Sequence, residues 1–276
     1  MIEKRKKFWI TFGIVAICFV ALVVASLKIT GLKTVAVEFV TRQENSQLPE
    51  GIADDIVGNG KFEYGKSLMF INFNQKTDEI EKNYPFVKVV QIIREFPNLA
   101  RIRILERVPY FRVQDEENSS KWYILDDEFK VLKVILGDPA DEAYADSNFK
   151  DSTIELKDVQ LSSATQVGEF VNNLENKNKI NQIISGVNIV TGAKYYFIDS
   201  IEFALDGEIF TTKIYMKNAD VAEGFLITFE GVDNIKLKTA TGIDFFCKDE
   251  IENYSSQYIF VEKNASGLYQ AELMAK

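Results

Sequence analysis

The sequence predicts a mixed α+β protein. A single N-terminal transmembrane helix leads into a compact strand–helix–helix–strand–strand unit, followed by a β-rich region with one amphipathic helix. Three observations carry this expectation. Phe8 to Leu27 runs for 20 positions without a charge. Two segments rich in apolar and β-branched residues, Val87–Arg94 and Leu99–Glu106, flank the turn signal Phe96-Pro97-Asn98. From Val108 onward, short apolar segments separated by turn residues dominate.

The helix follows from its length and its flank. At about 1.5 Å per residue, Phe8–Leu27 spans roughly 30 Å, the hydrocarbon thickness of a bilayer. Lys4, Arg5, Lys6 and Lys7 precede it. A short basic flank stays in the cytoplasm, so residues 1–7 form a cytoplasmic tail and everything after Leu27 lies outside, a single-pass type II arrangement in the cell membrane. Trp9 stands where amphipathic rings prefer the interface. The competing reading is a signal peptide cleaved near Ala25, whose apolar region would run about 7–15 residues, shorter than this stretch. A buried core helix fails on uniform apolarity beside a basic cluster.

Residues 31–107 compose the first folded unit. Lys33–Val40 reads as a strand. Leu48–Val57 reads as a short helix with Pro49 in its first turn. Gly58–Gly65 holds three glycines and reads as a turn region. Thr77–Tyr84 is expected as a second helix, capped by Thr77 and stopped by Pro85. Val87–Arg94 and Leu99–Glu106 form a hairpin, with Ala100, Ile102 and Ile104 on one face and Arg101 and Arg103 on the other.

Residues 108–262 compose a β domain. Trp122–Leu125 and Lys130–Ile135 flank the turn Asp126-Asp127-Glu128. Gly137–Thr153 is acidic and loop-like. Ser163-Ala-Thr-Gln166 has capping-box spacing and is expected to open a helix with Val167, Phe170, Val171 and Leu174 on one stripe. Ile180, Ile183, Ile184 and Val187 continue the apolar pattern. Tyr195–Leu205, Glu208–Met216 and Phe225–Phe229 read as strands, and Gln257–Glu262 as the last strand. Residues 263–276 remain as a C-terminal tail.

Composition bounds the chemistry. The chain has 276 residues, 46% hydrophobic and 12% aromatic, enough for about two folded domains. It contains no histidine, which excludes Ser-His-Asp and Cys-His catalysis and imidazole-ligated zinc. The net charge is −9. Removing residues 1–7 takes away four basic residues and one acidic residue, leaving 28 basic against 40 acidic, a net of −12. Such a balance opposes general nucleic-acid binding, which needs a basic face. Cys18 and Cys247 cannot make a disulfide framework; Cys18 falls in the membrane segment, and Cys247 reads as a small buried hydrophobe.

One motif matches a phosphate loop literally: Gly60-Lys-Phe-Glu-Tyr-Gly65-Lys66-Ser67. That motif functions when a buried strand enters it and a long helix leaves it, so that backbone amides and the helix N-terminus face the phosphates. Neither flank fits here, and Glu63 would place a carboxylate in the cradle. The reading is a glycine-punctuated connection. Asp126-Asp127-Glu128 could hold a hard cation, but reads first as a solvated turn. Asn118-Ser-Ser and Asn264-Ala-Ser fit the short glycosylation sequon.

The order of features resembles a known family. GKSLMFIN (Gly65–Asn72), YPFVKVVQIIREFPNLARIRILERVPYFRV (Tyr84–Val113) and WYILDDEFKVL (Trp122–Leu132) follow a basic tail and one anchor. This is similar to the bacterial cell-division family FtsQ, called DivIB in Gram-positive bacteria, with a membrane anchor, a POTRA domain and a β domain. Pro85, Val87, Val90, Arg94, Pro97, Asn98, Ile102, Ile104, Glu106, Arg107 and Pro109 carry the hairpin signature. The resemblance covers residues 1 to about 135 and thins after Gly137. The spacing around Asn98 is one residue short of the commonest form. The turn Asp126-Asp127-Glu128-Phe129 lacks the glycine frequent there, and the first strand lacks the Val-x-Gly-Asn ending.

The resemblance implies a non-enzymatic bitopic scaffold of the divisome, without cofactor or metal. It would join FtsL-like and FtsB/DivIC-like single-pass proteins, act indirectly on a septal peptidoglycan synthase, and sit at the division septum. Partner capture by strand addition near the end of the β domain is implied too. Gln257–Glu262 is the expected open edge, with Tyr258 and Phe260 on one face and Ile259 and Val261 on the other, the alternative for each of these four being a place in the core. Arg101 and Arg103 are candidates for an acidic partner, though a solvated face accounts for them better. The alternative from another class is an envelope enzyme or carbohydrate-binding protein using an acidic cleft. A POTRA module of an outer-membrane transporter would need a downstream barrel, for which the remaining residues are too few.

Overall fold

The computed structural model describes residues 2–41, 46, 48–144, 147–192, 197–217, 224–248 and 256–276. It is a mixed α+β chain with an apolar N-terminal helix followed by sheet-rich structure. The chain divides into two compact units, Met1–Arg107 and Val108–Lys276.

In the first unit, α1 (Ile2–Ile29) contains the apolar stretch Thr11–Ile29, none of which is buried against protein. The helix is continuous from Ile2, where a tail was expected over residues 1–7. Then come β1 (Thr34–Thr41), α2 (Ile52–Asn59), α3 (Phe73–Asn83), β2 (Val87–Glu95) and β3 (Leu99–Glu106). The sheet order is β1-β3-β2, with β1 parallel and β2 antiparallel to β3. Alternation along β3 sends Ala100, Ile102 and Ile104 inward, fully buried, into one cluster with Ile52 and Ile56 of α2 and Phe73 and Ile80 of α3. On the other face Arg101 pairs with Glu38 and Glu95, which leaves little of its charge for an acidic partner.

α3 begins four residues before Thr77. Asn72 caps it, its Oδ1 accepting from the Gln75 N–H at 3.4 Å, and Phe73 is buried at the first position. A good cap followed by a core aromatic outweighs the weaker cap at Thr77. Inside this unit Arg107 donates from Nη2 to Glu81 Oε2 at 2.8 Å, and Glu81 Oε1 accepts from the Val89 N–H at 2.8 Å. The buried pair ties the end of β3 to α3 and the start of β2.

The second unit holds β4 (Phe111–Asp115), β5 (Lys121–Leu125), β6 (Val131–Leu136), the short β7 (Ala143–Tyr144), β8 (Ser147–Asn148) and α4 (Phe149–Ser152), and β9 (Ile154–Leu161). Then follow α5 (Lys177–Thr191), β10 (Ile198–Asp206), β11 (Ile209–Met216), β12 (Phe225–Glu230), α6 (Ile235–Lys248), β13 (Gln257–Lys263) and β14 (Tyr269–Ala275). Tyr195, in the expected strand Tyr195–Leu205, lies outside the described residues; the described strand starts at Ile198. Nine strands form one sheet in the order β14-β13-β12-β11-β10-β9-β4-β5-β6. α5 and α6 pack against each other, and α6 also packs on β12, β13 and β14. Gly186 lets the helices meet: a Cβ there would stand 2.5 Å from the Lys236 carbonyl oxygen and 2.8 Å from Thr239 Cβ.

Four expectations are corrected. The capping box at Ser163 opens no helix. Ser163 Oγ donates to Asp115 Oδ1 at 2.7 Å, and Tyr123 Oη donates to the Ser162 carbonyl at 3.0 Å, so the hydroxyl is spent on a buried carboxylate. Gly168 (φ 88°) then turns the chain against β6: Val131 N–H donates to the Glu169 carbonyl, and Val171 N–H to that of Phe129. Only the distal part of the apolar pattern is helical, as α5, with Ile180, Ile183 and Val187 buried. Residues 263–276 are no tail, because β14 pairs with β13 along its whole length. Cys247 is exposed near the end of α6, not buried.

The glycine-less turn after β5 is built by its side chains. Asp126 Oδ1 accepts from the N–H groups of Glu128 (3.0 Å) and Lys130 (2.8 Å), so this carboxylate caps a turn. Phe129 takes the left-handed conformation, φ 64°, and its buried ring stacks on Phe111 at 5.0 Å. Burial of that ring offsets the cost of a non-glycine residue at positive φ.

Candidate functional site

The site is the open end of the nine-stranded sheet. Gln257–Glu262 was expected at this edge. Instead β13 is interior, bonded in parallel to β12 and antiparallel to β14. The edge moves one strand outward, to β14. Among the described residues no strand pairs with its outer side.

The pairing pattern fixes which backbone groups are open. Lys276 N–H donates to the Ser256 carbonyl, and Asn264 N–H to that of Leu268, at both ends of the hairpin. In an antiparallel ladder, bonded and non-bonded residues alternate. Gln270, Glu272 and Met274 therefore bond inward to β13. Tyr269, Ala271, Leu273 and Ala275 direct their N–H and C=O groups outward. These outward groups form the template that an extended peptide needs.

Side chains divide the strand into two faces. Tyr269, Ala271 and Leu273 pack on the core beside Ile259 and Val261, which are buried. α6 covers this face, and Gly242 allows its backbone to approach: a Cβ there would stand 2.6 Å from Ile227 Cγ2. Gln270, Glu272 and Met274 lie on the opposite face, cross-strand from Glu262, Phe260 and Tyr258. Tyr258 and Phe260 are half-buried there, while Glu272 and Met274 are exposed. Of the four residues expected to touch a partner, two face the core and two form the second row of the open face.

A polar cluster pins the start of β14. Tyr269 Oη donates to Asp233 Oδ2 at 3.0 Å and accepts from Asn234 Nδ2 at 3.0 Å. Lys238 Nζ bonds Asp233 Oδ1 at 2.9 Å and the Glu230 carbonyl at 2.6 Å, and lies over the Tyr269 ring at 5.6 Å. The Lys238 ammonium, then the Tyr269 hydroxyl, hold the Asp233 carboxyl down to about 2. Burial pushes the Tyr269 phenol up. At the other end of the hairpin turn, Asn264 Oδ1 accepts from the N–H groups of Ser266 (3.1 Å) and Leu268 (3.0 Å). The edge strand is thus held straight from both the turn and the helix. Sequence reading missed α6 and β14, and with them Asp233, Lys238 and Tyr269.

The other sequence candidates are structural in character. In the phosphate-loop match, Gly65 N–H is already bonded to the Leu32 carbonyl at 2.8 Å, Lys66 Nζ is paired with Glu63 at 2.6 Å, and the following helix is a single turn, Leu68–Phe70. Gly65 itself needs φ 83°. A cleft of about 320 Å³ lies beside Arg112 and Trp122. Its carboxylates are committed: Glu155 to Arg112 at 2.9 Å, and Asp138 to the Ala140 N–H at 2.9 Å. Among the described residues no three His, Cys, Asp or Glu side chains gather as a metal set.

No protein-family model matches the chain. The cell division protein DivIB of Clostridium acetobutylicum is 29% identical over 82 residues, which cover 30% of this chain and 31% of that protein. The match therefore spans under a third of either chain, and it supports a distant relationship to the FtsQ/DivIB family.

Proposed function

We propose that the chain is a membrane-anchored cell-division scaffold that captures its partners by strand addition to β14. Three things support the reading: the DivIB similarity, the helix long and apolar enough to span a bilayer, and the open sheet edge. The edge carries it, since it offers the outward N–H and C=O groups of Tyr269, Ala271, Leu273 and Ala275 in one row. In this reading α1 crosses the cell membrane with its N-terminus in the cytoplasm, residues 31–107 act as a POTRA domain, and the sheet-rich unit acts as the β domain outside. The partners are FtsL-like and FtsB/DivIC-like single-pass proteins, whose engagement at the septum regulates a peptidoglycan synthase. No catalysis is assigned.

An added strand would bond to those four residues. Its side chains on the open face would lie beside Gln270, Glu272 and Met274, with Tyr258 and Phe260 one strand further in. Ile259 and Val261 contribute by holding the edge against α6. Glu272 favours a partner with a basic or hydrogen-bond-donating side chain at the opposed position.

Proline substitution tests the mechanism. Ala271→Pro removes an outward N–H and leaves the β13 ladder intact, as edge strands tolerate. The expected outcome is loss of co-purification of the division partners with a near-normal unfolding midpoint. Retained co-purification with Ala271→Pro would rule out strand addition at this edge.

A further inference from the structure

Three segments meet where the chain leaves α1. Leu68 N–H donates to the Thr30 carbonyl at 2.9 Å, Leu32 N–H to the Lys66 carbonyl at 2.9 Å, and Thr30 and Ser67 hydroxyls bond at 2.8 Å. Lys33 and Thr34 N–H groups donate to the Asn98 carbonyl at 2.8 and 3.2 Å. Arg94 donates to the carbonyls of Leu68 (2.9 Å) and Ile71 (3.2 Å). The Gly65–Phe70 turn and the tip of the β2–β3 hairpin are thereby fastened to residues 30–34, directly after the apolar stretch Thr11–Ile29.

This end of the unit exposes large apolar side chains. Met69 is 64% exposed, Phe70 63%, Phe96 58% and Tyr64 53%. In water such a cluster is unfavourable. We propose that it is a lipid-contacting face, with Tyr64, Met69, Phe70 and Phe96 lying in the interfacial layer of the bilayer that α1 crosses. The inference rests on the reading of α1 as a membrane span.

Distance decides the occupant. Met69 and Phe70 stand one and two residues from Leu68, which is bonded to residue 30, so they lie within about 8 Å of chain from the end of the span. The interfacial layer on each side of the hydrocarbon core is about 5–8 Å deep. Aromatic rings and methionine at that depth bury apolar surface while their backbone stays at headgroup level. The exposed Lys28 and Lys33 flank the same point and suit phosphate headgroups. Three segments fastened to one another, and not one flexible linker, would then set the tilt of the first unit on the membrane.

Tryptophan quenching in the full chain tests this. In a Trp9→Phe/Trp122→Phe background, single tryptophans are placed by Phe70→Trp, Val20→Trp within the span, and Asn83→Trp. β2 runs about 26 Å from the hairpin tip to the end next to Asn83. The chain is reconstituted into phosphatidylethanolamine–phosphatidylglycerol vesicles, one set carrying lipid brominated near the headgroup end of the acyl chain to report on Phe70→Trp and Asn83→Trp, the other lipid brominated near the methyl end to report on Val20→Trp at the middle of the span. Phe70→Trp should show blue-shifted emission and quenching at least about threefold above Asn83→Trp. If Val20→Trp is quenched but Phe70→Trp matches Asn83→Trp, the lipid face is refuted and the span stands. If Val20→Trp is not quenched, the span itself is refuted and the inference falls with it.

Discussion

At the residue scale, buried charge and its partners decide what can be changed. Arg107 and Glu81 form a pair with little solvent access, their side chains 3% and 11% exposed. Removing the carboxylate takes away both its buried bond to Arg107 and the acceptor of the Val89 N–H, so Glu81→Ala should cost about 3 kcal/mol, measurable by urea unfolding of the detergent-solubilised chain. A change below about 0.5 kcal/mol would show that water replaces the carboxylate at no cost. Asp233 works differently, because its side chain is exposed and acts through its low proton affinity. Folding lowers it from 3.8 to about 2. Its stabilisation is therefore complete above pH 3.8 and is lost as pH falls through about 2. Asp233→Asn should flatten that acid limb in a plot of melting midpoint against pH; curves that stay parallel would contradict the role. Arg101 and Ile102 were legible from alternation alone. Asp233 was not, because nothing local marks a carboxylate that finds its lysine five residues on and its tyrosine 36 residues on.

At the element scale, legibility followed local consistency. The β2–β3 hairpin has alternation, β-branched residues and a proline turn all pointing one way, and it emerged with nearly the expected bounds. α6 gave no such signal. Its sequence IKLKTATGIDFFCK places Gly242 and two threonines in the interior, poor helix formers that tertiary contact requires. β14 reads YQAELMA, rich in helix formers, and becomes a strand because β13 lies beside it. Ser163 shows the converse, a good helix-start signal overruled by a buried aspartate. The small residues in the helix layer have a testable cost. Gly186→Ala would drive a methyl into the Lys236 carbonyl, so it should destabilise by about 1–3 kcal/mol through separation of α5 from α6. Thermal unfolding of the purified chain checks this, and an unchanged midpoint would mean that the helices shift apart freely.

At the scale of the whole molecule, a helix long and apolar enough to span a bilayer precedes two folded units, and among the described residues the long sheet ends on β14, whose outer side no strand pairs. Exposed edges invite pairing, and proteins blunt them unless they are used. β14 carries neither proline nor lysine over Tyr269–Ala275, and it is braced by Asp233, Lys238 and Asn264. A braced, unblunted edge is the feature that the scaffold reading explains and an enzyme reading does not use. The most direct test is photo-crosslinking in the native cell from Met274, replaced by a photoreactive residue, with mass spectrometry of the adduct. Strand addition predicts a crosslink to a short single-pass division protein, lost in the Ala271→Pro background. Capture of glycan strands, or an adduct that persists unchanged with Ala271→Pro, would contradict it.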